Sequence, residues 1–158
     1  MCALAVMLAG CGSAPVAQKV EGPLGRITRT DLTPDFMSAY EQPAIEPPFI
    51  EMIRQVQGEV KVLVFLGTWC SDSKRDVPRF LQIADAIGMD STRYTLYALD
   101  RKKGSPEGLE QRYHIDRVPT FVFLRNGIEI GRIVESPRTT LEGDIMSILA
   151  ASPSAGGG

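Results

Sequence analysis

The segment from Val60 to Pro78, VKVLVFLGTWCSDSKRDVP, predicts the centre of the fold. Its first seven residues are apolar on both alternating faces apart from Lys61, a pattern typical of a central strand covered on both sides. Cys70 then lies where a helix begins, and the first N–H groups of a helix have no partner within it. The segment therefore predicts a buried strand that leads directly into a helix, with a thiol at the helix's positive end.

The composition indicates one globular domain. The chain has 158 residues, 44% hydrophobic and 23% charged, with a formal net charge of -2. Neither sign of charge forms a run of five or more, so we expect no nucleic-acid partner. The body of the chain holds one cysteine, Cys70, and one histidine, His114, which predicts neither a metal site nor a disulfide framework. We expect a monomer without a cofactor.

The N-terminus has the pattern of an export signal. Residues 1–11, MCALAVMLAGC, are apolar and end in small residues, and the run is shorter than the ~20 residues of a membrane span. Leu8-Ala9-Gly10-Cys11 resembles a bacterial lipobox, which implies lipidation of Cys11 and attachment to a membrane on the periplasmic side of the cell envelope. The usual preceding positive charge is missing, so an ordinary cleaved signal of a soluble exported protein, or an apolar tail, is the alternative.

The remaining chain divides into a tether, an extension, the main domain and a tail. Residues 12–23 are small and polar and predict a flexible tether. Residues 24–48 form an N-terminal extension in which Arg26 to Thr30 fits a short edge strand. Residues 49–150 form the domain, and 151–158 predict a disordered tail.

Within the domain, hydrophobic periodicity and turn residues predict the elements that flank the central strand. A helix from Pro48 to Val56 precedes it. The elements that follow it are a helix from Cys70 to about Gly88, a strand Tyr94 to Leu99, a short helical piece around Glu107 to Tyr113, strands Thr120 to Arg125 and Ile128 to Val134 joined by a type I′ turn at Asn126-Gly127, and a last helix with a capping box at Thr139 to Glu142.

Three motifs resemble the thioredoxin fold over residues 49–150: Trp69-Cys70 at the strand-to-helix turn, Pro78 eight residues beyond the cysteine, and Val118-Pro119-Thr120 before the hairpin. The resemblance implies an α/β fold with a mixed four-stranded sheet, helices on both faces and room for an extra N-terminal edge strand. It also implies a cis-Pro119 beside Cys70 and an extended substrate bound by the Val118 backbone and by Trp69.

The sequence departs from that family in its active-site motif. Cys70-Ser71-Asp72-Ser73 has a serine where the family has a second cysteine, so a mixed disulfide on Cys70 would await an outside thiol. Ser73 has two interpretations: its hydroxyl donates a hydrogen bond to the Cys70 sulfur and favours the thiolate, or it only binds a backbone N–H.

Two further positions bear on the charge at the thiol. Val64 stands where many members of the family bury an aspartate thought to assist the second thiol, a loss consistent with the serine at position 73. Asp72 disfavours a thiolate at Cys70 by charge repulsion, and three cations would offset it if their heads approach the sulfur: Lys74, Arg75 and Arg117.

The leading hypothesis is monothiol thiol–disulfide exchange in the cell envelope, with Cys70 and Ser73 as catalytic residues and with extended proteins or low-molecular-weight thiols as substrates. The alternative is a redox-silent module that binds extended peptides as a chaperone, in which Cys70 is vestigial or buried. A peroxidase of the peroxiredoxin type is disfavoured, because Thr68 stands two residues before Cys70 rather than three.

Overall fold

The computed structural model describes residues 22–41 and 45–151. The predicted signal with Cys11, the tether up to residue 21 and the tail from residue 152 lie outside these residues. Among the residues described, no helix combines the length and the apolar character that a membrane crossing requires.

Five strands and five α-helices follow one another along the described chain. The strands are β1 Gly25–Ile27, β2 Val60–Leu66, β3 Tyr94–Ala98, β4 Thr120–Arg125 and β5 Ile128–Val134. The helices are α1 Pro34–Met37, α2 Pro47–Val56, α3 Ser71–Ala86, α4 Leu109–Arg112 and α5 Leu141–Ala150.

The strands form one mixed sheet in the order β1-β3-β2-β4-β5. β2 is central, parallel to β3 and antiparallel to β4, with Val64 opposite Leu96 on one side and Phe121 on the other. The side chains of β2 alternate between two apolar clusters: Val62 and Val64 belong to one, and Phe65 to the other. The prediction of a strand covered on both faces is confirmed, and with it the expected α/β fold class.

Helices cover both faces of this sheet. The larger cluster joins one face to buried residues of α2, α3 and α5, among them Ile53, Leu81 and Ile145. The smaller cluster lies on the other face, where Leu109 of α4 and the following Tyr113 pack against Phe65 and its neighbours. The α3–β2 junction therefore lies between two separately packed layers, and both layers fix it in place.

The residues before the domain take part in both the sheet and the core. β1 pairs antiparallel with β3 at the edge, with Arg26 opposite Tyr97, so the extra edge strand is present but runs from Gly25 to Ile27 rather than from Arg26 to Thr30. Phe36 of α1 is 1% exposed and belongs to the larger cluster. The predicted extension is thus packed into the domain.

The hairpin has the predicted bounds and turn. Asn126 and Gly127 both have positive φ, 54° and 78°, as a type I′ turn requires, and Arg125 pairs with Ile128 across it. A register shift between Phe123 and Leu124 then changes the pairing along β5. The strand patterns and the turn residues together were sufficient to predict this element.

Several helix ends differ from the prediction: α2 begins one residue earlier, at Pro47, and α4 is shorter than the predicted piece from Glu107 to Tyr113. Helix α3 ends at Ala86, because Gly88 takes φ 68° and the N–H of Met89 returns to the Ala84 carbonyl at 2.8 Å, a Schellman closure. Helix α5 is capped by Thr140, whose hydroxyl accepts from Gly143 N–H at 3.1 Å, so the capping box from Thr139 to Glu142 was wrong. Glu142 instead accepts hydrogen bonds from Arg79.

Candidate active site

The thiol of Cys70 lies directly before α3, as the sequence predicts. Cys70 is the residue that caps the helix, with extended backbone angles of φ −91° and ψ 127°. Its N–H donates to the Gly67 carbonyl at 2.9 Å, and its own carbonyl accepts from Lys74 N–H at 3.1 Å. The residue is therefore fixed by main-chain bonds on both sides, and its side chain is free to face the neighbouring loop.

That loop contains the other predicted site residues. The Val118–Pro119 peptide bond is cis, and the Cys70 sulfur lies 3.3 Å from the Val118 carbonyl oxygen, to which it donates a hydrogen bond. Val118 is buried in the smaller cluster, and Pro119 is buried beside it. The fold thus brings Cys70, Val118 and Pro119 together although 48 positions separate Cys70 from Val118.

Cys70 is half-buried rather than fully open. Its side chain packs against the smaller cluster together with Trp69. At 3.3 Å from the Val118 carbonyl oxygen, the sulfur is within hydrogen-bond distance of an acceptor that a protonated thiol can use. The residue thus keeps part of its surface exposed while Trp69 and the cis-proline loop lie beside it.

The Ser73 hydroxyl has a backbone partner and does not bond to the Cys70 sulfur. Its side chain is fully buried, and its hydroxyl oxygen accepts a hydrogen bond from Gly67 N–H at 3.1 Å. Among the hydrogen bonds of the described residues, none joins Ser73 to the Cys70 sulfur. The second interpretation made from the sequence, a backbone partner, is the observed one, and Ser73 closes the turn between β2 and α3.

Trp69 connects the thiol to the end of β3. Its indole N–H donates to the Leu99 carbonyl at 3.1 Å. Its ring also lies over Gly67, where a Cβ atom would come within 2.7 Å of the indole carbon Cε2. Trp69 is thus placed by a hydrogen bond at one end and by close backbone contact along its ring.

The loop after β3 contributes cations that sequence reasoning missed. The guanidinium carbon of Arg101 lies 5.1 Å from the Trp69 ring centroid and the ammonium of Lys103 lies 5.2 Å from it, both cation–π contacts. The run Arg101-Lys102-Lys103 was a visible signal. What the sequence could not supply was its contact with Trp69, 32 positions earlier.

The three cations expected to offset Asp72 at the sulfur have other partners. Lys74 pairs with Asp35 at 2.5 Å and Arg117 with Glu135 at 2.7 Å. Arg75 donates to Asp72 at 2.8 Å and to both carboxylate oxygens of the buried Asp76, also at 2.8 Å. The hydrogen bonds to Asp76 raise the pKa of the Arg75 guanidinium above its ordinary value, as Glu135 does for Arg117.

Arg75 nevertheless bears on the thiol through Asp72. The carboxylate of Asp72 is two residues from Cys70, and the salt bridge to Arg75 neutralises it locally. The guanidinium also reaches the Ser136 hydroxyl at 3.2 Å, which links the first turn of α3 to the end of the hairpin. The offset expected from the sequence therefore takes place at the carboxylate and not at the sulfur.

Beyond the loop lies an open cavity of about 750 Å³. Its lining includes charges of both signs, with Lys102 and Lys103 against Glu110 and Asp116. The other lining residues are Gly104, Gln111, His114 and Ile115. Glu110 is 4% exposed and accepts a hydrogen bond from the Ser105 hydroxyl at 2.5 Å. Over residues 22–41 and 45–151, no three side chains among His, Cys, Asp and Glu gather as metal ligands.

This arrangement holds the parts needed for one chemical step on sulfur. It has a single thiol at a helix N-terminus, where the helix dipole favours negative charge, and a carbonyl edge beside it. The second position of the motif is occupied by a buried hydroxyl, which cannot form a disulfide. Among the residues that the structure describes, no second cysteine lies beside Cys70.

Comparison with known proteins agrees with this geometry. The thioredoxin family model matches residues 28–147. A thioredoxin from Malassezia sympodialis is 33% identical over 97 residues, which cover 60% of this chain and 89% of that protein. Thioredoxin H9 from Arabidopsis thaliana is 28% identical over 96 residues, which cover 61% of this chain and 64%, slightly under two thirds, of that relative.

Among solved structures, a protein of unknown function from Pseudomonas aeruginosa superposes with a TM-score of 0.53 at 17% identity. The match covers 72% of this chain and 79% of that one. At this identity the likeness shows the fold alone.

Proposed function

We propose, from the premise that this chain belongs to the thioredoxin family, that it carries out thiol–disulfide exchange with Cys70 as a single reactive thiol. The observation that carries the proposal is the place of the Cys70 sulfur, at the start of α3 and 3.3 Å from the carbonyl that precedes cis-Pro119. The buried Ser73 at the second position of the motif supports the monothiol form of the reaction.

The reaction proceeds in two exchanges. Cys70 loses its proton to solvent, and its thiolate attacks one sulfur of a substrate disulfide; the substrate S–S bond breaks, a mixed disulfide forms, and the other substrate sulfur leaves as a thiolate. A second thiol, from a protein or a low-molecular-weight compound, then attacks the mixed disulfide. Cys70 leaves as a thiolate, and the attacking thiol is then joined to the substrate sulfur in a new disulfide, so the two exchanges move a disulfide without net reduction. Full reduction of the substrate takes a second outside thiol, which displaces the substrate thiolate and leaves the two outside thiols oxidised to a disulfide.

The thiol's surroundings define how a substrate would bind. An extended chain that runs along the cis-proline loop would place an N–H against the Val118 carbonyl, as a strand adds to an exposed backbone edge. In the free protein, the Cys70 thiol donates a hydrogen bond to that carbonyl oxygen. The substrate N–H and the thiol would therefore compete for the same acceptor, the Val118 carbonyl oxygen.

We place this reaction on the periplasmic side of the cell envelope, with the chain anchored through lipid on Cys11. Leu8-Ala9-Gly10-Cys11 supports the anchor, and persistent disulfides outside the cytoplasm support the compartment. Incorporation of labelled fatty acid by the wild type, and its loss in Cys11→Ser, is the expected result. Equal labelling of both chains would contradict the lipid anchor, and the proposed exchange at Cys70 would not depend on that result.

The exchange is tested on the full chain with Cys2→Ser and Cys11→Ser, which leaves Cys70 as the only thiol. Mixing with an excess of a small peptide disulfide should add one peptide mass, and the adduct should persist until dithiothreitol is supplied. Cys70→Ser in the same background is the control and should gain nothing. If the folded chain gains no mass while the urea-unfolded chain does, Cys70 is inert in the native state and the proposal is wrong.

A redox-silent binding module is the second candidate. The bond from the thiol to Val118 favours it, because that bond needs the proton on sulfur and satisfies the thiol within the protein. In this case Cys70→Ser would bind an extended peptide as tightly as the wild type and would complement a deletion strain. Loss of complementation in Cys70→Ser, with peptide binding retained, would instead favour exchange.

A further inference from the structure

We propose that the loop Arg101-Lys102-Lys103 makes the site selective for disulfides flanked by acidic residues in protein substrates. This inference rests on the proposed function, because it concerns what reaches Cys70. It is carried by the position of the loop, by its rigidity and by the balance of charge around the thiol. Its occupant is a protein segment whose carboxylates lie next to the cysteine that Cys70 attacks.

The loop lies beside the thiol. Trp69 precedes Cys70 in the chain, and its ring contacts both the guanidinium of Arg101 and the ammonium of Lys103. The indole N–H also donates a hydrogen bond to the carbonyl of Leu99, the residue that connects β3 to Asp100 and the loop. A chain that passes over Trp69 to reach the sulfur therefore meets these cations first.

Asp100 makes the loop a closed turn. Its carboxylate accepts from the N–H groups of Lys102 and Gly104, each at 2.8 Å, and its own N–H donates to the Gly104 carbonyl at 3.0 Å. The Lys103 N–H returns to the Asp100 carbonyl at 3.0 Å. The acidic side chain nearest to the lysines in sequence is thus bound to main-chain N–H groups of the turn.

The charges on the other sides of the thiol are paired. Lys74 has Asp35, Arg117 has Glu135, and Arg75 has Asp72 and Asp76. In the described part of the chain, neither Lys102 nor Lys103 has a carboxylate partner; the ammonium of Lys103 contacts only the Trp69 ring and the Arg101 carbonyl. Because Arg75 faces two carboxylates, the first turn of α3 keeps an excess negative charge, and the positive excess lies on the Trp69 side of the thiol. This local excess is opposite in sign to the net charge of -2 of the whole chain.

The far side of the loop does not carry the same preference. There the open cavity has Glu110 and Asp116 opposite the lysines, so charges of both signs face a ligand. On the Trp69 side the cations predominate. Fixed charges within a Debye length, about 8 Å at physiological ionic strength, raise the association rate of oppositely charged partners by roughly ten to a thousandfold.

The test compares two peptide disulfides that differ only in flanking residues, one with two glutamates and one with two lysines, on the full chain with Cys70 as the only thiol. We expect the acidic peptide to form the Cys70 adduct about tenfold faster at low salt, and the ratio to approach one in about 1 M salt as charges are screened. Rapid quench-flow with acid, followed by mass spectrometry of the adduct, gives the rate for each peptide.

Variants assign the effect to the loop. Lys102→Glu should remove most of the preference, and Lys103→Gln, which keeps a polar side chain over Trp69, should reduce it. Lys61→Glu makes the same change of charge at an exposed lysine near the start of β2, roughly 16 Å along the strand from Leu66, and should leave the preference intact.

The outcomes separate the two proposals. Equal rates for the two peptides at low salt overturn the inference and leave the exchange reaction standing. A loss of preference in Lys61→Glu as large as in Lys102→Glu also overturns it, because net charge would then be the cause. Failure of both peptides to form an adduct overturns the proposed function itself, and the inference falls with it.

Discussion

Replacement of Gly67 by alanine tests how tightly the tryptophan beside the thiol is held. A Cβ atom at Gly67 would lie 2.7 Å from Cε2 and 2.9 Å from Cζ2 of the Trp69 ring, closer than side-chain carbons approach one another. The ring must move, and its hydrogen bond to Leu99 then lengthens or breaks. We expect Gly67→Ala to lower the free energy of unfolding by about 2 kcal/mol, the middle of the range for overpacking.

A double-mutant cycle isolates the cause. In a Trp69→Ala background the clash is gone, so Gly67→Ala should cost under about 0.5 kcal/mol, since the substitution also reduces the freedom of the unfolded chain. Gly104→Ala is the matched control, because a Cβ there meets only the Asp100 carboxylate at an ordinary 3.6 Å. Its effect should be the same in both backgrounds.

Urea unfolding followed by far-UV circular dichroism measures the cycle in all four chains. In the two chains that keep Trp69, the only tryptophan, its emission also reports the surroundings of the ring. A loss of about 2 kcal/mol should lower the melting temperature by roughly 4–8 °C for a chain of this size. If Gly67→Ala costs the same with and without Trp69, the ring does not rest on Gly67 and the description of the site is wrong.

Three further predictions concern other contacts. Ser73→Ala should destabilise the fold by about 1–3 kcal/mol in urea unfolding, because it leaves Gly67 N–H buried without its acceptor, whereas the exposed Ser71→Ala should change little. Arg79→Met should cost about 3 kcal/mol by leaving Glu142 buried and unpaired, and Glu142→Leu added to it should restore part of the loss. Burial raises the pKa of Tyr97 and also that of Tyr94, so the late component of an absorbance titration should shrink in Tyr97→Phe and disappear only when Tyr94→Phe is added. The contribution of these raised pKa values to stability should be constant below about pH 10 and be lost above it, because the unfolded chain then gives up its tyrosine protons first.

Local patterns were sufficient wherever a few neighbouring residues decide the conformation. The bounds of β2, β4 and β5 agree with the prediction, because alternating apolar residues and the Asn126-Gly127 turn act within each hairpin or strand. The juxtaposition of Cys70 with cis-Pro119 followed from the family resemblance, since no local pattern relates residues so distant in sequence.

Charge partners could not be predicted from the sequence. A surface cation such as Lys74 can pair with any carboxylate that the fold brings within reach, and exposed pairs differ by less than about 1 kcal/mol, so sequence spacing does not select among them. Here the partner is Asp35, from the segment first interpreted as an extension. The burial of Phe36 was missed for the same reason, because its contacts lie in distant elements.

Serine at position 73, in place of the family's second cysteine, does not change what holds Cys70 in position. The Ser73 oxygen closes the turn through Gly67 N–H, and the Gly67 carbonyl in turn accepts from Cys70 N–H, so the sulfur's position depends on main-chain bonds and not on a second sulfur. When the thiol loses its proton, the sulfur and the Val118 oxygen become two acceptors 3.3 Å apart with no hydrogen between them. A substrate N–H donated to that oxygen would replace the lost donor, so the proposed binding mode and the proposed exchange both use the Val118 carbonyl.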